Sequence, residues 1–103
     1  MIQERINMIV CSTSALSEED AEIITWEARR LMHYPGSRWL LDTFFGFIVM
    51  PGLPENLKET MDKLGLSDGA YRIFTEGLES FGAEAFRFDR DAPALEGWPV
   101  YEW

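Results

Sequence analysis

Hydrophobic and polar positions along this chain switch between a two-residue and a three-to-four-residue rhythm, and the switches mark its elements. Ile6, Met8 and Val10 alternate with Asn7, Ile9 and Cys11. A run that is mostly apolar on both faces predicts a strand. It ends at Ser12-Thr13-Ser14. Ser17-Glu18-Glu19-Asp20 then opens a helix. The Ser17 hydroxyl can accept from the free amides of the first turn, and three carboxylates lie at the positive end of the helix dipole. Asp20 stands where a capping box has glutamate. Ala21, Ile24, Ala28 and Leu31 follow at helical spacing, with Met32 widening the stripe and Arg29 and Arg30 near the negative end. His33-Tyr34-Pro35-Gly36-Ser37 stops the helix, because the residue before a proline resists the helical conformation.

Trp39 to Met50 is the most hydrophobic stretch and closes at Pro51-Gly52. Its spacing predicts a central strand over Phe44–Met50, apolar on both faces. Trp39–Asp42 reads as a short partner strand or the approach to one. Gly46 within the run marks a bulge or a close backbone approach. Pro54-Glu55 opens a second helix with Leu57, Met61 and Leu64 facing the core, and Gly65 is a left-handed stop. Ser67-Asp68 caps a third helix, with Ala70, Phe74, Leu78 and Phe81 on one stripe, Tyr71 and Ile73 beside it, and Gly82 ending it. Ala85–Asp89 alternates cleanly, as a strand with one wet face does. Trp98-Pro99 makes the remaining tail extended.

The order β-α-β-α-α-β predicts an α+β domain over residues 1–103. It consists of a three- to four-stranded mixed sheet, three helices packed on it and an extended aromatic tail. At 103 residues and 47% apolar composition, the chain can build a core without staples. Cys11 is alone, so no disulfide scaffold is expected, and no apolar run reaches membrane-spanning length. A lone cysteine and the absence of a secretory leader in the opening segment point to the cytoplasm.

Charge narrows the partners. Eighteen acids against nine bases give −9, distributed as −2, −2 and −5 over residues 1–38, 39–66 and 67–103. An acidic chain is a poor ligand for nucleic acid or anionic lipid, where cation-to-phosphate attraction dominates. The composition retains seven Phe, four Trp and three Tyr, which excludes a disordered acidic tail.

Several constellations have a chemical reading. Asp89 and Asp91 at a strand end could hold a divalent cation or a small ligand, although the calcium-loop spacing is absent. Their plainer role is to cap the turn into Ala92-Pro93. Ser12–Ser14 with His33 or Asp91 is the arrangement a hydrolase would need, but the glycines that admit a ligand are missing. Cys11 reads as a small buried hydrophobe. Trp98 and Tyr101 tie down the tail, while Trp103 is the tail residue most available to a partner. The outward face of the first helix (Glu18, Glu22, Glu27) reads as solvated. The candidate binding residues are therefore Asp89, Asp91, Trp98, Tyr101 and Trp103. No catalytic residue, metal ligand or cofactor is assigned.

Phe88-Asp89-Arg90-Asp91 followed by Trp98-Pro99-Val100-Tyr101-Glu102-Trp103, together with Ser12-Thr13 after the first strand, carries a resemblance. The chain is similar to a family of small bacterial and phage-encoded domains of unknown function whose members end in Phe-Asp-x-Asp and Leu-Pro-x-Tyr-x-Trp. Trp98 stands where leucine is usual, and Ser14-Ala15 where a small residue and a histidine are commoner. The resemblance implies a cytosolic accessory protein of mobile genetic elements and supplies no catalytic residues. The expected function is a non-enzymatic protein-interaction module that binds a protein partner or itself, a homodimer being the self-associated form, without membrane or direct nucleic-acid binding. Two alternatives stand beside it: an inhibitor of a nucleic-acid-handling defence enzyme through acidic surface mimicry, and a small-ligand or divalent-metal binder at Asp89 and Asp91.

Overall fold

In a computed structural model, which describes residues 7–33 and 38–103, the elements follow the rhythms of the sequence. They are β1 (Met8–Cys11), a 3₁₀ turn (Thr13–Ala15), α1 (Glu18–Leu31), β2 (Leu40–Asp42), β3 (Gly46–Val49), α2 (Leu57–Leu64), α3 (Asp68–Ser80) and β4 (Ala85–Asp89). The expected positions Ile6 and 34–37 lie outside the described residues. The four strands form one mixed sheet in the order β1-β4-β3-β2, with β1 parallel to β4 and the other pairs antiparallel. This is the α+β architecture that the pattern predicts.

Register decides which side chains meet. Cys11 lies beside Phe88 and Phe88 beside Phe47, while Phe86 lies beside Val49 and Val49 beside Leu40. All six point to one face and are buried with Ala21, Ile24 and Ala28 of α1, Met61 of α2, and Ala70, Ile73 and Phe74 of α3. Phe86 and Phe88 stack at 5.9 Å, with Phe74 against both and Phe47 against Phe88. Burying each large apolar side chain contributes about 1.5–3 kcal/mol, so this aromatic cluster supplies much of the driving force. Alternate positions form the other face, where Met8, Val10 and Arg87 are exposed and Leu41 and Ile48 half-buried.

The caps at Ser17 and Ser67 form where the sequence puts them, and Asn56 supplies one it did not name. Ser17, Asn56 and Ser67 accept from Asp20, Glu59 and Ala70 amides respectively, and Gly65 closes α2 at φ 83°. Helix α2 therefore begins at Leu57 rather than at Pro54-Glu55, because Asn56 supplies the capping oxygen. Gly46 answers to the close-approach reading. A Cβ there would lie 1.8 Å from the Phe88 carbonyl oxygen on the neighbouring strand.

Three further expectations are corrected. The strand expected over Phe44–Met50 starts only at Gly46, since Phe44 and Phe45 make the β2–β3 turn. Phe81 is 60% exposed rather than on the α3 core stripe, because the helix ends at Ser80. Glu27 is not a freely solvated side chain of α1. It pairs with Arg30 and is only 11% exposed.

Candidate functional site

A groove lies where the outer side of α1, the β2–β3 turn and the C-terminal tail meet, with a volume of about 880 Å³. Asp42 builds one wall. One carboxylate oxygen accepts from the Phe44 amide at 3.3 Å, and the other accepts from Arg29 Nε of α1 at 3.1 Å. A single side chain thus shapes the turn and fastens it to the helix. The turn is closed by Thr43 N–H to Gly46 O at 3.1 Å, and Arg90 N–H donates to Phe45 O, also at 3.1 Å. The bend after β4 is thereby held against the hairpin tip.

Phe44 has φ 73°, the left-handed region that costs an ordinary side chain about 1–2 kcal/mol. Its ring is nevertheless 85% exposed and meets Phe45 edge-on at 4.9 Å. The backbone is strained and no burial offsets the strain. Across the groove Trp26 projects from α1, also largely exposed. Trp103 forms a third side, its indole N–H donating to Leu16 O at 3.0 Å while about half the side chain remains accessible. Tyr101 N–H donates to Ser14 O at 2.8 Å, so the tail is laid along the 3₁₀ turn.

The polar lining has a sign. Of the eight arginines and lysines among the described residues, Arg29, Arg30 and Arg90 line the groove, against only Glu22 and Asp42 of the seventeen described carboxylates. His33 and Thr13 complete the polar rim. Arg29 and Arg30 are paired with Asp42 and Glu27, so in a chain of charge −9 this is a patch of locally balanced charge in which Arg90 adds a positive group. The Arg90 guanidinium lies over the Phe45 ring, 5.0 Å from its centroid. Such stacking leaves the in-plane N–H groups available.

The sequence-selected residues are divided by this geometry. Trp103 lines the groove, and Tyr101 anchors the strand that leads to it while staying partly exposed. Trp98 is not on offer to a partner: it is buried, with its ring 6.1 Å from Phe86. Asp89 closes the expected turn, its Oδ1 accepting from Asp91 N–H at 2.9 Å and its carbonyl from Ala92 N–H at 3.1 Å. Neither acid lines the groove, whereas Arg90 between them does. Among the described residues no group of three or more His, Cys, Asp or Glu is placed to hold a metal ion. No described helix is long and apolar enough to cross a membrane.

Trp26, Arg29, Phe44, Phe45 and Arg90 are among the groove residues absent from the candidate set. Trp26 did leave a signal: it lies two positions from both Ile24 and Ala28, on the side of the helix opposite the apolar stripe. Phe44 and Phe45 left none, since their run reads as buried strand.

One family description matches this chain, "Family of unknown function (DUF5983) C-terminal domain", and the match runs over residues 8–103. The chain belongs to the DUF5983 family. The match spans every described element, from β1 to the tail that holds Trp103. No curated protein and no solved structure matches the chain. DUF5983 membership carries no assigned activity.

Proposed function

We propose that this DUF5983 domain is a non-enzymatic partner-binding module and that the groove between α1, the β2–β3 turn and the tail receives a segment of another protein. The observation that carries this reading is the convergence of four accessible aromatic rings, Trp26, Phe44, Phe45 and Trp103, around arginines in one groove. Exposed apolar surface concentrated in a patch marks interaction sites, and Trp and Arg dominate binding hot spots. The strain at Phe44 supports the same reading, because the backbone spends free energy to hold an aromatic ring in solvent.

The non-enzymatic part is supported by the serines after β1: the Ser14 hydroxyl donates to Ser12 Oγ, which also accepts from the Ser14 amide, and neither is bonded to a base among the described residues. No hydrogen bond among the described residues joins His33 to a carboxylate. We read a cytoplasmic location from the lone cysteine and a mobile-element setting from the tail resemblance; cell fractionation tests the first and genomic neighbourhood the second.

Panning a displayed library of random 12-residue peptides against the purified chain tests the groove. Wild type is expected to enrich binders that a Trp26→Ala/Phe44→Gly variant loses, with the far-ultraviolet circular dichroism of the variant unchanged. Binding that survives both substitutions overturns the assignment. That result would favour acidic mimicry of nucleic acid, whose contacts would lie on the carboxylate-rich surface outside the groove. Self-association through the outer strand β1 would instead leave the groove free and raise the mass measured by sedimentation.

A further inference from the structure

The chemistry of the occupant can be read from the groove's two components, on the premise that the groove is a partner site. Its apolar component consists of rings that stand apart around an open space: Trp26, Phe44 and Trp103 are each more than half exposed. Rings so arranged bury a large apolar or aromatic side chain, which gains area and edge-to-face contacts together. Its charged component is arginine. Arg90 is stacked on Phe45, and among the described residues its side chain makes no ion pair. Arg29 commits Nε to Asp42 but is 68% exposed. A planar guanidinium fixed by stacking or by one hydrogen bond presents a fork that matches a carboxylate in two-point fashion.

A polyanion does not fit. Duplex or single-stranded nucleic acid needs a train of cations along its backbone. Here the lining holds three arginines, two of them paired with Asp42 and Glu27, in a chain whose net charge is −9, and most carboxylates lie outside it. A ligand with one or two negative charges at the groove escapes most of that repulsion, because exposed charges beyond about 10 Å are screened at ordinary salt.

We propose that the groove recognises a short peptide segment of a partner protein in which an aromatic or large aliphatic side chain is flanked by carboxylates. The apolar side chain sits among Trp26, Phe44 and Trp103, and the carboxylates pair with Arg90 and Arg29.

The sequences of the peptides enriched from the random 12-residue library test this. Asp or Glu is expected within two positions of Trp, Phe, Tyr or Leu in the groove-dependent binders. The strongest of them is synthesised with its acids and again with Asn and Gln in their place, and both are titrated against the full chain by fluorescence. The neutral peptide and the Arg90→Gln chain are each expected to bind roughly tenfold more weakly or worse, the effect of losing a hydrogen bond to a charged group. Binders without acids, or equal affinity for the neutral peptide, overturn the carboxylate assignment while leaving the groove as an apolar docking site. Tighter binding of a twelve-nucleotide oligothymidine than of any peptide overturns it in favour of nucleic acid. Enrichment of nothing removes the underlying reading of the groove as well.

Discussion

Cys11 occupies the last position of β1 beside Phe88 and is fully buried. Burial disfavours the thiolate and pushes the thiol pKa up to about 12. A folded-state pKa above the unfolded value means the native protein keeps a proton that the unfolded chain releases. The resulting stability is complete below the unfolded pKa and declines as pH rises through the window toward 12. Between pH 8 and pH 10 this group is expected to cost about 1–2 kcal/mol of stability. Urea midpoints of wild type and Cys11→Ala at the two pH values measure it, and the wild type is expected to lose more on going alkaline. Phe44 shows the opposite lesson for a single residue. Its neighbours in sequence argue for a buried strand, yet a positive φ and an Asp42 hydrogen bond turn it outward.

Between elements, the most informative contact is carried by Asp20. The first-turn acids of α1 were legible as dipole partners, and Ser17 caps the helix through the Asp20 amide at 3.1 Å. The carboxylate itself does not complete a capping box. It is buried, with Oδ1 accepting from Ser67 N–H at 2.9 Å and Oδ2 from the Ser67 hydroxyl. Ser67 in turn caps α3 by accepting from Ala70 N–H at 3.2 Å. The N-termini of two helices therefore share one carboxylate, which both dipoles favour. Asp20→Ala leaves Ser67 without its acceptor and is expected to cost about 2–3 kcal/mol in chemical denaturation, with Asp20→Asn falling between the two. No local pattern could have revealed this bond, because its partners are 47 residues apart. The α3 stripe was legible through Ala70, Ile73 and Phe74, and it overran only at Phe81, where the helix had ended.

At the scale of the molecule, the sheet order places β3 and β4 inside and β1 and β2 at the edges. The interior strands carry Phe47, Val49, Phe86 and Phe88, whose rings and methyls fill the core. Their amides are expected to exchange most slowly, through global unfolding, while those of the short outer strands open locally. Native-state hydrogen exchange followed by NMR checks this order, and faster exchange in β4 than in β1 would contradict it. The groove belongs to the same scale. Trp26, Phe44, Arg90 and Trp103 come from a helix, a turn, a strand exit and the tail, and nothing short of the complete sheet assembles them.

What the sequence determined by itself was local: helix caps at Ser17 and Ser67, the stop at Gly65, the strand Ala85–Asp89, a special backbone position at Gly46 and the α+β class. Each rests on neighbours within a few residues, where backbone geometry and periodicity act directly. Tertiary structure decided the parallel pairing of β1 with β4, the burial of Trp98 and the assembly of the groove around Trp26 and Phe44. Periodicity says which face of an element is buried, but not against what. A site built from side chains dozens of residues apart exists only once the sheet has set their distances.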